Sequence, residues 1–337
     1  MEPAAARTRR RLTRDQYAEG VLRGDRTILS RAITLIESLH AEDIELAQDV
    51  LEQCLPYAGD SVRVGITGVP GVGKSSLIEV LGLYLTRERE EKVAVLAVDP
   101  SSQISRGSIL GDKTRMEALA NDDRAFIRPS PSGGSLGGVA RRTRETMLLC
   151  EAAGYHNVVV ETVGVGQSET AVRSMVDFFL LLMLAGAGDE LQGMKRGIVE
   201  MTDLVAFNKA DGGNRQAAEA ARRQYESALH LFSASATGWT PRVITCSART
   251  RDGIAEIWDA VVEHNTWLTS TGQLSDLRHE QAKSWMHALI EQSLRDEFLN
   301  HDGVREKLAA YEQDVLAGRL SPFRAARRLI DIYTENS

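Results

Sequence analysis

Gly68-Val69-Pro70-Gly71-Val72-Gly73-Lys74-Ser75 fits the pattern G-x-x-x-x-G-K-[ST], the phosphate-binding P-loop. Before it, Val62-Arg63-Val64-Gly65-Ile66-Thr67 reads as a buried strand. After it, the run from Ser76 to Leu85 carries apolar residues at helical spacing. The glycines let backbone N–H groups turn inward around a phosphate chain, and the helix that follows adds its positive end. Gly68, Val69, Pro70, Gly71, Val72, Gly73, Lys74, Ser75 and Ser76 are therefore the expected phosphate-binding residues. Lys74 is expected at the β- and γ-phosphates, and the Ser75 hydroxyl on Mg²⁺.

Outward from this loop, residues 60–262 alternate strand and helix patterns. Strand candidates are 62–67, 93–98, 125–127, 157–161, 178–184, 203–207 and 242–246, most of them continuous apolar runs. Such runs suit a sheet covered on both faces. The expected fold is α/β: a doubly wound, mostly parallel sheet, with ligand loops at the carboxyl ends of its strands. Residues 1–59 contain no strand candidate and read as a helical extension. There Ile28, Leu29, Ala32, Ile33, Leu35, Ile36 and Leu39 form one stripe, Asp43 is placed to cap a helix through Leu51, and Pro56 ends it. Residues 263–337 again lack strands. Trp285, Met286, Leu289, Ile290, Leu294 and Phe298 form a stripe, Val304 to Val315 another that stops at Gly318, and Pro322 opens a last helix. Stripes of this kind ordinarily mean core, but helices appended to a finished domain could bury themselves against a second subunit.

Asn208-Lys209-Ala210-Asp211 fits N-K-x-D and follows the strand run Leu204-Val205-Ala206-Phe207. The Asp211 carboxylate can accept from guanine N1–H and from its 2-amino group. Adenine offers neither donor and would leave a charged acceptor unpaired, which costs more than the roughly 1–3 kcal/mol of a neutral loss. Lys209 is expected to pack its stem over the base, and Asn208 to tie this loop to the P-loop. Ser247-Ala248-Arg249 follows the run Val243 to Cys246 and looks like the S-A-K element whose backbone amide meets guanine O6. Arginine stands where lysine is usual, which leaves its side-chain role open. GTP and GDP are the expected ligands.

Two strand ends carry carboxylates suited to a metal. Asp99, in Val98-Asp99-Pro100, is placed to hold Mg²⁺ or its water shell, although an isolated Asp-Pro also reads as a turn. Glu161, in Glu161-Thr162-Val163-Gly164, stands where ordinary GTPases have the Asp of D-x-x-G. Val165 occupies the usual position of the water-positioning Gln, and Gln167 comes two residues later. Slow intrinsic hydrolysis, speeded by a partner, is the physical expectation. Asp112, in the segment 107–115 that can hinge at Gly107 and Gly111, could reach the metal or cap the next helix. Asp189, Glu190, Gln192 and Lys195, in the Gly-bounded loop 186–195, could couple nucleotide state to a partner or form a capped, solvated helix face. The Gly-rich run 132–138 lacks G-K-[ST] and is expected to be a contact loop.

Composition narrows the classes further. The 337 residues carry 40 Lys and Arg against 47 Asp and Glu, a net charge of −7, which argues against nucleic acid as the main partner. No apolar run approaches the ~18 residues of a membrane span. Cys54, Cys150 and Cys246 are far apart, which suits a reducing cytoplasm; Cys150, within an apolar run, is expected in the core. The arginines among residues 7–11 are followed by no apolar segment and read as a solvated basic arm rather than a secretory signal. The seven histidines are scattered, unlike those of a nickel-loading GTPase.

These stretches together resemble the MeaB/MMAA GTPases, also called the ArgK or LAO transport ATPase group, of the SIMIBI class of P-loop proteins. The matching segments are 68–76, 98–102, 108–116, 128–131, 161–169, 186–195 and 208–211. The resemblance implies a homodimeric GTPase chaperone for an adenosylcobalamin-dependent acyl-CoA mutase, most often methylmalonyl-CoA mutase. GTP binding and hydrolysis would gate cofactor loading and protect the mutase. The same carry-over puts Asp99, Asp112 and Glu161 near the metal and gives Lys195 an effect on activity. The chain has no D-x-H-x-x-G cobalamin motif, so it is expected to act on a B12 enzyme rather than be one. Two other readings stay open: a P-loop kinase linked to arginine or ornithine transport, and a module that binds GTP without turnover.

Overall fold

The computed structural model describes residues 11–98, 116–129, 136–162, 168–186, 196–229 and 238–335. The chain divides into two compact units, Met1–Leu277 and Arg278–Ser337. The first is built on seven parallel strands: β1 (Val62–Gly68), β2 (Val93–Val98), β3 (Ala125–Arg128), β4 (Asn157–Thr162), β5 (Phe178–Leu184), β6 (Leu204–Asn208) and β7 (Arg242–Thr245). Their order is β3-β2-β4-β1-β5-β6-β7. All seven strand candidates are strands, because buried parallel strands are apolar on both faces and stand out as continuous runs.

The helices of this unit are α1 (Arg14–Leu22), α2 (Arg26–Glu37), α3 (Ala41–Cys54), α4 (Lys74–Arg87), α5 (Glu117–Ala120), α6 (Leu136–Ala152), α7 (Ser168–Arg173), α8 (Arg196–Glu200), α9 (Arg215–Leu229) and α10 (Ile254–Ser270). Side chains alternate across each strand and feed different cores. Val64, Ile66, Leu180 and Leu182 join Leu77, Ile78 and Leu81 of α4 and Ile257, Trp258 and Val261 of α10. On the other face, Val158, Val160 and Phe179 join Met147 and Cys150 of α6, and also Val21, Leu29, Ile33, Ile36, Val50 and Leu51 of α1–α3. The N-terminal helices thus share a core with the sheet. Arg128 of β3 pairs with Glu37 of α2, and Gln48 Nε2 of α3 donates to Glu145 Oε1 of α6 at 3.0 Å.

Asp43 does not cap a helix. α3 starts at Ala41 after His40, and Asp43 lies in its first turn, accepting from Ser38 Oγ at 2.8 Å and from Arg11 at 2.7 Å. Leu39 falls outside α2 and is exposed. A chain reversal between two helices needs a linker, and residues 38–40 supply it. α1 carries a signal in the sequence: Thr13 and Gln16 form a reciprocal capping box.

Charged residues fasten the amino ends of the strands. Glu151 of α6 accepts from Arg63 Nε at 2.7 Å, Arg63 Nη2 at 3.0 Å, the Gly59 amide at 2.9 Å and the Ser61 hydroxyl. Asp177 accepts the Arg63 amide at 3.0 Å, and Asp203 accepts the Phe179 amide at 2.8 Å, so two carboxylates extend the ladder where β5 and β6 begin. Burial alone would raise the Glu151 carboxyl, but the Arg63 hydrogen bonds and charge, with Ser61 and Gly59, outweigh it and hold it low. Removing one partner of a buried pair leaves the other charge uncompensated. Glu151→Ala is therefore expected to cost about 3–5 kcal/mol in urea unfolding at pH 7. Because the folded carboxyl titrates below its unfolded value, this contribution is held above the unfolded pKa and fades as pH falls through the folded one. A loss under about 1 kcal/mol would contradict the lock.

The second unit contains most of α11 (Gln273–Asn300), with α12 (Asp302–Leu316) and α13 (Pro322–Glu335). Val304 and Leu329 are buried within it, and Tyr333 meets Phe298 edge-on at 5.6 Å. Met286, Ile290 and Leu294 of the α11 stripe are 52%, 47% and 56% exposed, so the described residues of this unit leave that face uncovered.

Candidate functional site

The P-loop bridges β1 and α4 with the conformation its glycines allow. Gly73 has φ of +98°, and a Cβ there would meet Asn208 Nδ2 at 2.7 Å. Gly68 has φ of +150°, and its Cβ would meet the Leu182 carbonyl oxygen at 2.6 Å. Both positions need backbone that side chains rarely adopt, at contacts they cannot make. Lys74 is buried, and its Nζ donates to the Gly68 carbonyl at 2.7 Å. Its charge is therefore held inside the loop that would surround a phosphate.

Ser75 Oγ donates to Glu161 Oε1 at 2.9 Å. This contact brings together two of the expected metal residues from α4 and the end of β4. Glu161 is buried, and next to it Thr162 Oγ1 donates to Thr67 Oγ1 at 2.9 Å, closing β4 against β1. Asp99, Asp112 and Lys195 lie outside the described residues, as do most of loops 107–115, 132–138, 163–167 and 186–195.

The base-recognition elements converge on Asn208. Its Nδ2 donates to the Val72 carbonyl at 2.9 Å, and its Oδ1 accepts from the Ala248 amide at 3.4 Å. One buried side chain thus ties together the P-loop, N-K-x-D and Ser247-Ala248-Arg249. Lys209 takes φ of +59° and donates through Nζ to the Gly71 carbonyl at 2.7 Å, laying its stem along the P-loop. Asp211 accepts from Ser247 Oγ at 2.5 Å on Oδ2 and pairs with Arg249 on Oδ1. Gly253, at φ of +77°, lets the chain turn after the Ser247 loop; a Cβ there would strike the Thr245 carbonyl oxygen at 2.4 Å.

Cys246 is a site residue that its spacing did not reveal. Its amide donates to the Phe207 carbonyl, its carbonyl accepts the Ala210 amide, and its thiol points at Asn208 Oδ1 at 3.7 Å. Burial pushes this thiol up to about 12, so at neutral pH it stays protonated and able to donate. The signal was its position directly before Ser247.

A P-loop at the end of β1, a carboxylate on its Ser and an N-K-x-D loop fastened to it define a P-loop GTPase. The sequence model of the family described as Methylmalonyl Co-A mutase-associated GTPase MeaB matches residues 29–302. GTPase ArgK of Escherichia coli (strain K12) is 49% identical over 310 residues, 91% of this chain and 92% of its own. The mouse Methylmalonic aciduria type A homolog, mitochondrial, is 46% identical over 329 residues, 95% of this chain and 79% of its own. A solved LAO/AO transport system kinase superimposes with a TM-score of 0.76 at 40% identity, over 95% of this chain and 97% of that one. The chain belongs to the MeaB family of mutase-associated GTPases.

Proposed function

We propose that this GTPase acts as a chaperone for an adenosylcobalamin-dependent acyl-CoA mutase, methylmalonyl-CoA mutase by preference. In this reading GTP binding and slow, partner-stimulated hydrolysis gate cofactor loading and protect the mutase. The observation that carries it is the family match over residues 29–302. The name of the mouse relative, which refers to methylmalonic aciduria, points the same way. Val165 in place of a water-positioning Gln favours slow turnover without a partner.

The residues present fit Mg²⁺. Ser75 Oγ and Glu161 Oε1 are hard oxygen donors at the phosphate end of the site, the ligand chemistry this ion takes. Ser75 would ligate it directly and Glu161 directly or through water, with Asp99 and Asp112 as further oxygens. The ion would neutralise charge on the β- and γ-phosphates. Lys74 would place its ammonium against the same oxygens, and Lys195, by the family resemblance, would affect activity.

The exposed apolar stripe of α11 supports a homodimer formed through residues 263–337. Among the described residues no helix is long and apolar enough to cross a membrane. All three cysteines are free, which fits work in the reducing cytoplasm.

The test is a pull-down from native extract with the chain held in a non-hydrolysable GTP analogue, followed by GTP turnover with the captured mutase. Retention of a B12-dependent mutase and a rise in turnover of about tenfold or more, well within what a partner-supplied group can give, is the expected result. No mutase retained, and turnover unmoved by any B12 mutase, would remove the chaperone reading. The kinase reading draws on the name of the solved relative. It predicts a labelled acceptor from γ-labelled GTP, whereas hydrolysis releases the label as free phosphate.

A further inference from the structure

We propose that the Arg249 side chain is a positioning residue for guanine specificity: it fixes the Asp211 carboxylate in the plane where both oxygens read the base. The proposal deepens the guanine-site reading and rests on it. A carboxylate has about four lone-pair positions, two on each oxygen. Here the protein fills one on each: Ser247 Oγ donates to Oδ2 at 2.5 Å, and the Arg249 guanidinium pairs with Oδ1. One position per oxygen remains, matching the two donors that guanine presents side by side, N1–H and the 2-amino group.

The backbone turns sharply beside the pair. Gly212 follows Asp211 at φ of +54°, and a Cβ there would sit 3.5 Å from Arg249 Nη2. Ser247 is itself held, since its hydroxyl accepts the Thr250 amide at 3.2 Å and its own amide donates to the Asp252 carbonyl at 2.9 Å. Oδ2 therefore has a rigid partner, while Oδ1 depends on Arg249. Rotation about the last bond of an aspartate meets only a broad, soft barrier. With Ser247 alone, the carboxylate can swing about its Oδ2 anchor. A single N1–H bond tolerates that swing, but a two-point contact does not.

An exposed ion pair ordinarily adds little to folding stability, and the Arg249 side chain is 72% exposed. Its effect is thus expected mainly in the bound state, where the base strips water from Asp211. It should also weaken as salt screens the pair.

The experiment is calorimetric titration of the full chain and of its Arg249→Ala and Arg249→Lys variants with Mg²⁺ complexes of GDP, IDP and ADP, at low and at high KCl. IDP keeps N1–H and O6 but lacks the 2-amino group. Arg249→Ala is expected to weaken GDP about tenfold and IDP less than about threefold, narrowing the GDP/IDP preference. Arg249→Lys should restore most of that preference, since an ammonium can still donate to Oδ1. High salt should narrow it in the unmodified chain and leave it unchanged in Arg249→Ala. Equal weakening of GDP and IDP without rescue by Lys would reduce Arg249 to a loop fastener and overturn the proposal. Tighter GDP binding by Arg249→Ala would mean that Arg249 competes with the base, and would overturn it too. Failure of the guanine reading itself looks different: the unmodified chain would hold ADP as tightly as GDP.

Discussion

Lys74→Ala is expected to cut single-turnover GTP hydrolysis by about 10²–10³-fold, the range seen when one preorganised donor to a developing anion is lost. Lys74 is the cation that the fold has buried inside the P-loop, bonded to the Gly68 carbonyl at 2.7 Å. Its charge sits in a loop closed by Asn208 and Lys209, where low dielectric strengthens its pull on a phosphate oxygen. Removing it withdraws charge compensation from the transferring phosphoryl group and leaves the loop backbone in place. The variant should therefore melt close to the unmodified chain while hydrolysing far more slowly. Hydrolysis within threefold of the unmodified rate would show that another cation carries that role.

Asp211→Asn is the second large effect, and it falls on base choice rather than rate. Asparagine replaces two acceptors with one acceptor and one donor. Guanine then meets a donor with its own donor, while xanthine, with a carbonyl at C2 beside N1–H, meets a complementary pair. Sites built on such bonds reject the mismatched ligand by on the order of 10⁴. The variant is expected to lose GDP affinity by about 10³-fold or more and to take xanthosine diphosphate in its place. Competition binding with both nucleotides reads this directly. An Asp211→Asn chain that still prefers GDP would mean that Asp211 does not read the base. Because Asp211 also anchors Ser247 and Arg249, a small loss of thermal stability should accompany the switch.

The catalytic face of the molecule was legible wherever chemistry and topology coincide. Lys74, Ser75, Asn208 and Asp211 lie in short local patterns at strand ends; the structure sets Ser75 against Glu161, ties Asn208 to the P-loop at Val72 and sets Asp211 against Ser247. What stayed hidden depends on residues far apart in the chain. The Arg249 contact closes across the base loop to Asp211, and the Cys246 thiol finds Asn208 through the strand pairing of β6 and β7. Neither residue type announces such a role. The N-terminal helices read as a cap placed before the sheet, but periodicity gives only which face is apolar, not what covers it. Their stripes merge with α6 and β4 into one interior. Glu151, Asp177 and Asp203 were likewise unremarkable charges in sequence, because burial and pairing are properties of the assembled sheet.

The parallel sheet has two rims with different duties. The candidate site residues gather where the strands finish, at Gly68, Glu161 and Asn208, while the ionic fastening gathers where they start, at Arg63, Asp177 and Asp203. Drift at the starting rim will show as a change in how much folded protein a cell accumulates, with the surviving molecules turning over normally. At the finishing rim the outcome divides by residue type: a side chain added at Gly68 strikes the Leu182 carbonyl and lowers the amount of folded protein, whereas a changed polar side chain such as that of Glu161 chiefly alters what each molecule does. Inherited variants of this architecture can therefore be sorted by rim and by residue type into scarce but competent proteins and plentiful but silent ones.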